Sequence, residues 1–111
     1  MDLQEEREKN IALLQQSLET LKKTSKAYAE AERDYKILLR QEVLKLRDEG
    51  EAIGVINLIC YGIPSVAEAR FKRDCAEGVY KANQEAINTY KLKIRLIEAQ
   101  LSREWVNDTP R

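Results

Sequence analysis

Between Leu3 and Leu46 apolar and small side chains return at alternating steps of three and four: Ile11, Leu14, Leu18, Leu21, Ser25, Tyr28, then Tyr35, Leu39 and Leu46. The stretch holds no Gly or Pro. Such spacing comes back to one face every 3.5 residues and predicts a long amphipathic helix over about 3–48 with a coiled-coil-like seam. Glu32 and Glu42 interrupt the strict repeat, and Ala31, Leu38 and Val43 take over the apolar face near them. That is the behaviour of an essentially straight helix drifting against a seven-residue repeat. At full length the helix would measure roughly 65–70 Å, more than a compact domain of this size can bury. Its apolar face therefore needs a second long helix or another subunit.

The pattern stops at Arg47-Asp48-Glu49-Gly50, where the glycine is placed to cap the helix C-terminus. Residues 51–61, EAIGVINLICY, are the most apolar part of the chain. They read as a short buried helix over about 52–61, since Val55, Ile56, Ile59 and Cys60 fit one helical face; a strand here would have no partner strand. Gly62 and Pro64 form an elbow that enforces an extended Ile63, and Ser65 with Glu68 reads as an N-cap and capping box. A second helix is predicted over about 66–105, with a face running through Val66, Ala69, Ala76, Tyr80 and Asn83 into Ile87, Tyr90, Ile94, Ile97 and Leu101. Small residues at Ala76, Gly78, Ala82 and Ala86 would let another helix approach, and residues 106–111 form a polar tail.

The expected architecture is all-α and single-domain over 1–111: two long antiparallel helices joined by a short buried helix and a Gly-Pro elbow. Two helices alone leave apolar side chains uncovered, so hairpins would pair into an oligomeric helical bundle, most simply a dimer. The seam assigned to that oligomer is Leu14, Leu18, Leu21, Tyr28, Tyr35, Ile87, Tyr90, Ile94, Ile97 and Leu101.

Charge narrows the partners. The 111 residues carry 19 Lys+Arg and 19 Asp+Glu, net zero, at a charged fraction of 34%. The balance also holds by halves, ten basic and eleven acidic in 1–50, nine and eight in 51–111. Neither half has the basic excess that phosphate-backbone binding requires, so nucleic acid is disfavoured. Lys91, Lys93, Arg95 and Arg103 are basic but spread around the helix. The longest apolar run, Ile53 to Ile63, is too short to span a bilayer, and no signal peptide opens the chain. Cys60 and Cys75 read as reduced thiols in a cytosolic protein.

The chain contains no His, which removes imidazole chemistry and every Ser-His or Cys-His pair within it. No Asp-x-Asp or Glu-x-x-His constellation appears, and acids such as Glu30 and Glu32 read as a solvated face. A non-enzymatic protein with no cofactor and no metal is expected.

The run L-R-D-E-G, the apolar stretch, Y-G-I-P, then A-E-A-R-F-K-R-D-C-A-E-G-V-Y-K, E-A-I-N and a Trp near the end resembles small uncharacterised helical-hairpin proteins of bacteriophages and prophages, over roughly residues 40–105. The resemblance is one of pattern and implies a virus-encoded accessory protein acting in the host bacterial cytoplasm. The architecture is also similar to that of Gam-like phage inhibitors, which use long helices in a dimer to occupy a host nuclease; architecture alone does not carry function.

One local feature points to a ligand. A helix N-terminus at Ser65 exposes free N–H groups, with Arg70, Lys72 and Arg73 within two turns, so an anion such as a nucleotide phosphate would find donors there, and Tyr61 and Tyr80 would supply aromatic faces. The simpler and favoured alternative has Ser65 and Glu68 capping the helix while Arg70 and Arg73 pair with Glu49, Glu51 or Asp74. Trp105 is either a terminal packing anchor or a hot spot for a partner. Three readings follow in order: a protein that binds and neutralises a host defence or nuclease factor; an oligomeric sponge for an anionic nucleotide signal; a structural or recombination accessory protein touching DNA.

Overall fold

A computed structural model describes residues 2–108, and among them every regular element is helical. The order is α1 (Leu3–Asp48), α2 (Ile53–Ile59), a single 3-10 turn (Cys60–Gly62) and α3 (Pro64–Asp108). The chain divides into two compact units, Met1–Lys23 with Lys81–Arg111 and Thr24–Tyr80. In each, a stretch of α1 packs against an antiparallel stretch of α3.

The helix ends follow local chemistry. Asp2 accepts a hydrogen bond from the Glu5 N–H through Oδ1 at 2.8 Å, capping α1, and Glu5 and Glu6 add negative charge to the first turn. Lys45 and Arg47 complement the other end. There Gly50 takes φ +87°, its N–H donates to the Arg47 carbonyl, and the Glu51 N–H reaches back to the Leu46 carbonyl. That pair of bonds is a Schellman motif, which needs a residue tolerant of left-handed backbone.

α3 begins earlier than the capping-box reading expects. Ile63 is extended (φ −63°, ψ 127°), Pro64 is the first helical residue, and the Ala67 N–H donates to the Ile63 carbonyl. Proline suits that position because its missing N–H would have had no intrahelical acceptor. Ser65 therefore lies inside the helix and is not its N-cap. The other end also runs further: residues 106–108, expected in the tail, belong to α3, and 109–111 lie outside the described residues.

In the first unit the facing positions are Leu3, Arg7, Asn10, Leu14, Ser17 and Leu21 of α1 with Asn83, Ile87, Tyr90, Ile94, Ile97 and Leu101 of α3, all half-buried or buried. Two polar contacts set their register: Arg7 Nε donates to Glu98 Oε1 at 3.1 Å, and Asn83 Nδ2 donates to the Ser17 carbonyl at 3.1 Å. In the second unit Thr24, Tyr28, Ala31, Tyr35 and Leu38 face Val66, Ala69, Arg73, Ala76 and Tyr80. Tyr35, Ile56, Cys60 and Val66 are buried there, and Ile87 is buried in the first unit.

Both series keep a seven-residue period. The repeat passes through Asn10, Ser17 and Thr24, and Leu18 stands off it, 43% exposed. The remaining residues assigned to an oligomer seam, Leu14, Leu21, Tyr28, Tyr35, Ile87, Tyr90, Ile94, Ile97 and Leu101, are half-buried or buried on the intrachain faces. Polar side chains are tolerated at these positions because each half-buried amide or guanidinium finds a partner: Arg7 and Asn83 across the pair, and Asn10 at the Glu6 carbonyl one turn back in α1.

The short helix is the other correction. It was expected to be buried, yet only Ile56 and Cys60, one turn apart, are covered; Ile53, Val55, Leu58 and Ile59 are exposed. A seven-residue helix with apolar side chains all round can turn only one face inward, and the rest meets solvent.

Candidate interaction surface

The outward side of α2 departs from an ordinary surface. From Ala52 to Ala67 there is no charged residue, in a chain that is 34% charged as a whole. Leu58 is 84% exposed and Ile53 65%, with Val55, Ile59 and Tyr61 also exposed beside them. On a helical wheel Ile56 and Cys60 define the inward direction, so Gly54 and Leu58, one turn apart, share the opposite side. Beyond its chain neighbours and its own helix backbone, nothing lies within 4 Å of where a Gly54 Cβ would sit. Single exposed apolar residues are ordinary; a contiguous uncharged group of them marks a contact surface. Acidic residues stand before it at Asp48, Glu49 and Glu51.

The residues singled out as an anion site do not converge. Arg70 lies over the Tyr61 ring, 5.8 Å from its centroid, so those two do meet. Arg73 is held elsewhere: its Nε and Nη2 reach Asp74 Oδ1 at 2.9 and 2.8 Å, Nη1 lies 3.7 Å from Glu32 Oε2, and the guanidinium covers Tyr35 at 4.6 Å. The hydrogen bond to Asp74, then the nearby charges of Asp74 and Glu32, raise the Arg73 pKa above its ordinary value, with burial acting against them. Tyr80 stacks on Tyr28 with centroids 5.7 Å apart and planes at 34°. Ser65 and Lys72 line a shallow hollow together with Glu30, Asp34 and Glu68, where an anion would meet three carboxylates. The three elbow cations thus have three separate surroundings, and the pairing of Arg73 with Asp74 is the one that the simpler sequence reading offered.

Trp105 is 74% exposed on the last turns of α3, next to Val106 at 65%. Cys60 is buried and Cys75 exposed, both as free thiols. Among the described residues no group of three or more His, Cys, Asp or Glu is placed to hold a metal ion, and no helix is long and apolar enough to cross a membrane. Compared with known protein families, curated proteins and solved structures, the chain matches none.

Residues 51–61 are apolar, yet most of their apolar side chains are exposed rather than buried. The available signal was the charge-free run itself. A segment that short, flanked by helix ends, has too few neighbours to bury side chains on every side.

Proposed function

We propose that the protein is a non-enzymatic binding protein that engages another protein through the outward side of α2. The observation that carries this reading is Leu58, 84% exposed in the last turn of an uncharged helix. Exposing that much apolar surface is unfavourable in water, at about 25 cal/mol per Å², and a partner that covers it recovers the cost. The acidic residues at Asp48, Glu49 and Glu51 favour a partner whose apolar groove is rimmed by Lys or Arg, and they disfavour an anionic lipid surface. In the bacteriophage setting that the sequence resemblance implies, the partner is a host protein in the bacterial cytoplasm, and binding neutralises it by occupation.

The test is co-purification of the tagged full chain from the host, beside Leu58→Asp and Ile53→Asp. Both side chains are exposed, so the variants keep their helical circular dichroism. The reading expects one host protein to accompany the parent chain and to be lost with both variants. The same protein retained by both variants would contradict it. The sponge reading has no common pocket for its cations and is not carried further.

A further inference from the structure

We infer that α2 is a strap that melts away from the second unit as a local event, carrying Ile56 and Cys60 into solvent while α1 and α3 stay paired. The inference concerns the same segment as the proposed function and stands whether or not that segment binds a protein.

Few contacts hold α2 down. Ile56 and Cys60, one turn apart, are 2% and 3% exposed, and every other apolar side chain from Ile53 to Tyr61 is exposed. The backbone hydrogen bonds of the segment are local: the Ile56 N–H donates to the Ala52 carbonyl, the Cys60 N–H to the Ile56 carbonyl and the Ile63 N–H to the Cys60 carbonyl. Among the described residues no side chain between Ala52 and Ile63 makes a hydrogen bond or ion pair with α1 or α3. The polar contact that does reach the segment is Arg70, 5.8 Å from the centroid of the exposed Tyr61 ring.

Nor can α2 persist once those two anchors are lifted. It has seven residues, no side-chain cap at Ala52, and a glycine at position 54 whose backbone is not left-handed. Isolated helices shorter than about 12–15 residues are marginal in water, and glycine lowers the propensity further. Unseating the anchors and melting the helix are therefore one step. The long helices keep their own ends meanwhile: the Glu51 N–H closes α1 on the Leu46 carbonyl, and the Ala67 N–H bonds the Ile63 carbonyl at the start of α3. An opening that exposes so little surface lies well below global unfolding in free energy.

Thiol labelling of the full chain tests this, with buried Cys60 as the reporter and exposed Cys75 as the reference in the same molecule. N-ethylmaleimide is expected to label Cys60 about 100–1000-fold more slowly than Cys75, read by peptide mass. Urea below the unfolding transition is expected to raise the Cys60 rate less than about twofold per molar, whereas a reaction gated by global unfolding would rise at least about fivefold per molar. Gly54→Ala is expected to slow Cys60 labelling about three- to fivefold, because alanine favours the closed, helical segment. Gly78→Ala favours α3 by a similar amount and is expected to leave the rate unchanged, since α3 does not melt in the opening. A steep urea dependence, equal slowing by both glycine substitutions, indifference to Gly54→Ala, or Cys60 labelling as fast as Cys75 would overturn the proposal.

Discussion

The Arg73 guanidinium lies 4.6 Å from the centroid of the Tyr35 ring, and Tyr35 is only 6% exposed. The cation is therefore held over a buried aromatic face while Asp74 and Glu32 engage its nitrogens. A residue that sequence alone offers as an anion donor instead ties α3 to α1 in the second unit.

Arg73→Gln is expected to destabilise the protein by about 1–2 kcal/mol, through the lost cation–π contact and charge-assisted hydrogen bonds. Its raised pKa gives the pH dependence a definite sign. Stability linked to a cation whose pKa rises on folding is fully present below the unfolded value and is lost only as pH passes through the raised one. The difference between parent and variant in urea denaturation should thus be the same at about pH 6 and about pH 9.

The glycines separate by backbone conformation. Gly50 sits at φ +87°, so Gly50→Ala is expected to cost about 1 kcal/mol. Gly78 lies inside α3, and no heavy atom is within 4 Å of where its Cβ would be. Gly78→Ala should stabilise by roughly 0.5–1 kcal/mol, read as a rise in the thermal midpoint.

Val66 is fully buried, and Val79 is 59% exposed on the same helix. Truncating each to Ala separates core from surface: about 1–2.5 kcal/mol for Val66→Ala and under about 0.5 for Val79→Ala. Equal losses would mean that Val79 is covered in solution.

Asn83 donates across the first unit to the Ser17 carbonyl. A helix carbonyl keeps its own intrahelical donor, so the Ser17 carbonyl stays paired when the amide is removed. Asn83→Leu is expected to raise stability by up to about 1 kcal/mol while loosening the pairing register, since one polar position in an apolar seam fixes alignment at some cost in stability. Denaturation and amide hydrogen exchange of α3 would show both effects.

The long helices were legible because their period is carried by many residues and their ends by a few decisive ones, Gly50 and Pro64 above all. Within the chain the seven-residue series runs through Ser17, whose carbonyl receives Asn83, and leaves Leu18 exposed. Side chains that satisfy each other across a helix pair look out of place in a sequence read one helix at a time. The candidate site was less legible. Arg73 and Tyr80 share the face of α3 turned to α1, where Tyr35 and Tyr28 already engage them, while Arg70 is exposed and lies over Tyr61. For α2 the composition was clear, but burial depends on how many neighbours a segment has, and only the fold states that.

The central claim is that the uncharged side of α2 recognises a protein. Its most direct test is calorimetric titration of the co-purifying host protein with the parent chain and with Leu58→Asp. A central apolar anchor contributes about 2 kcal/mol or more to such an interface, so the variant should bind at least about thirtyfold more weakly at unchanged helicity. Affinities within about twofold of each other would contradict the account.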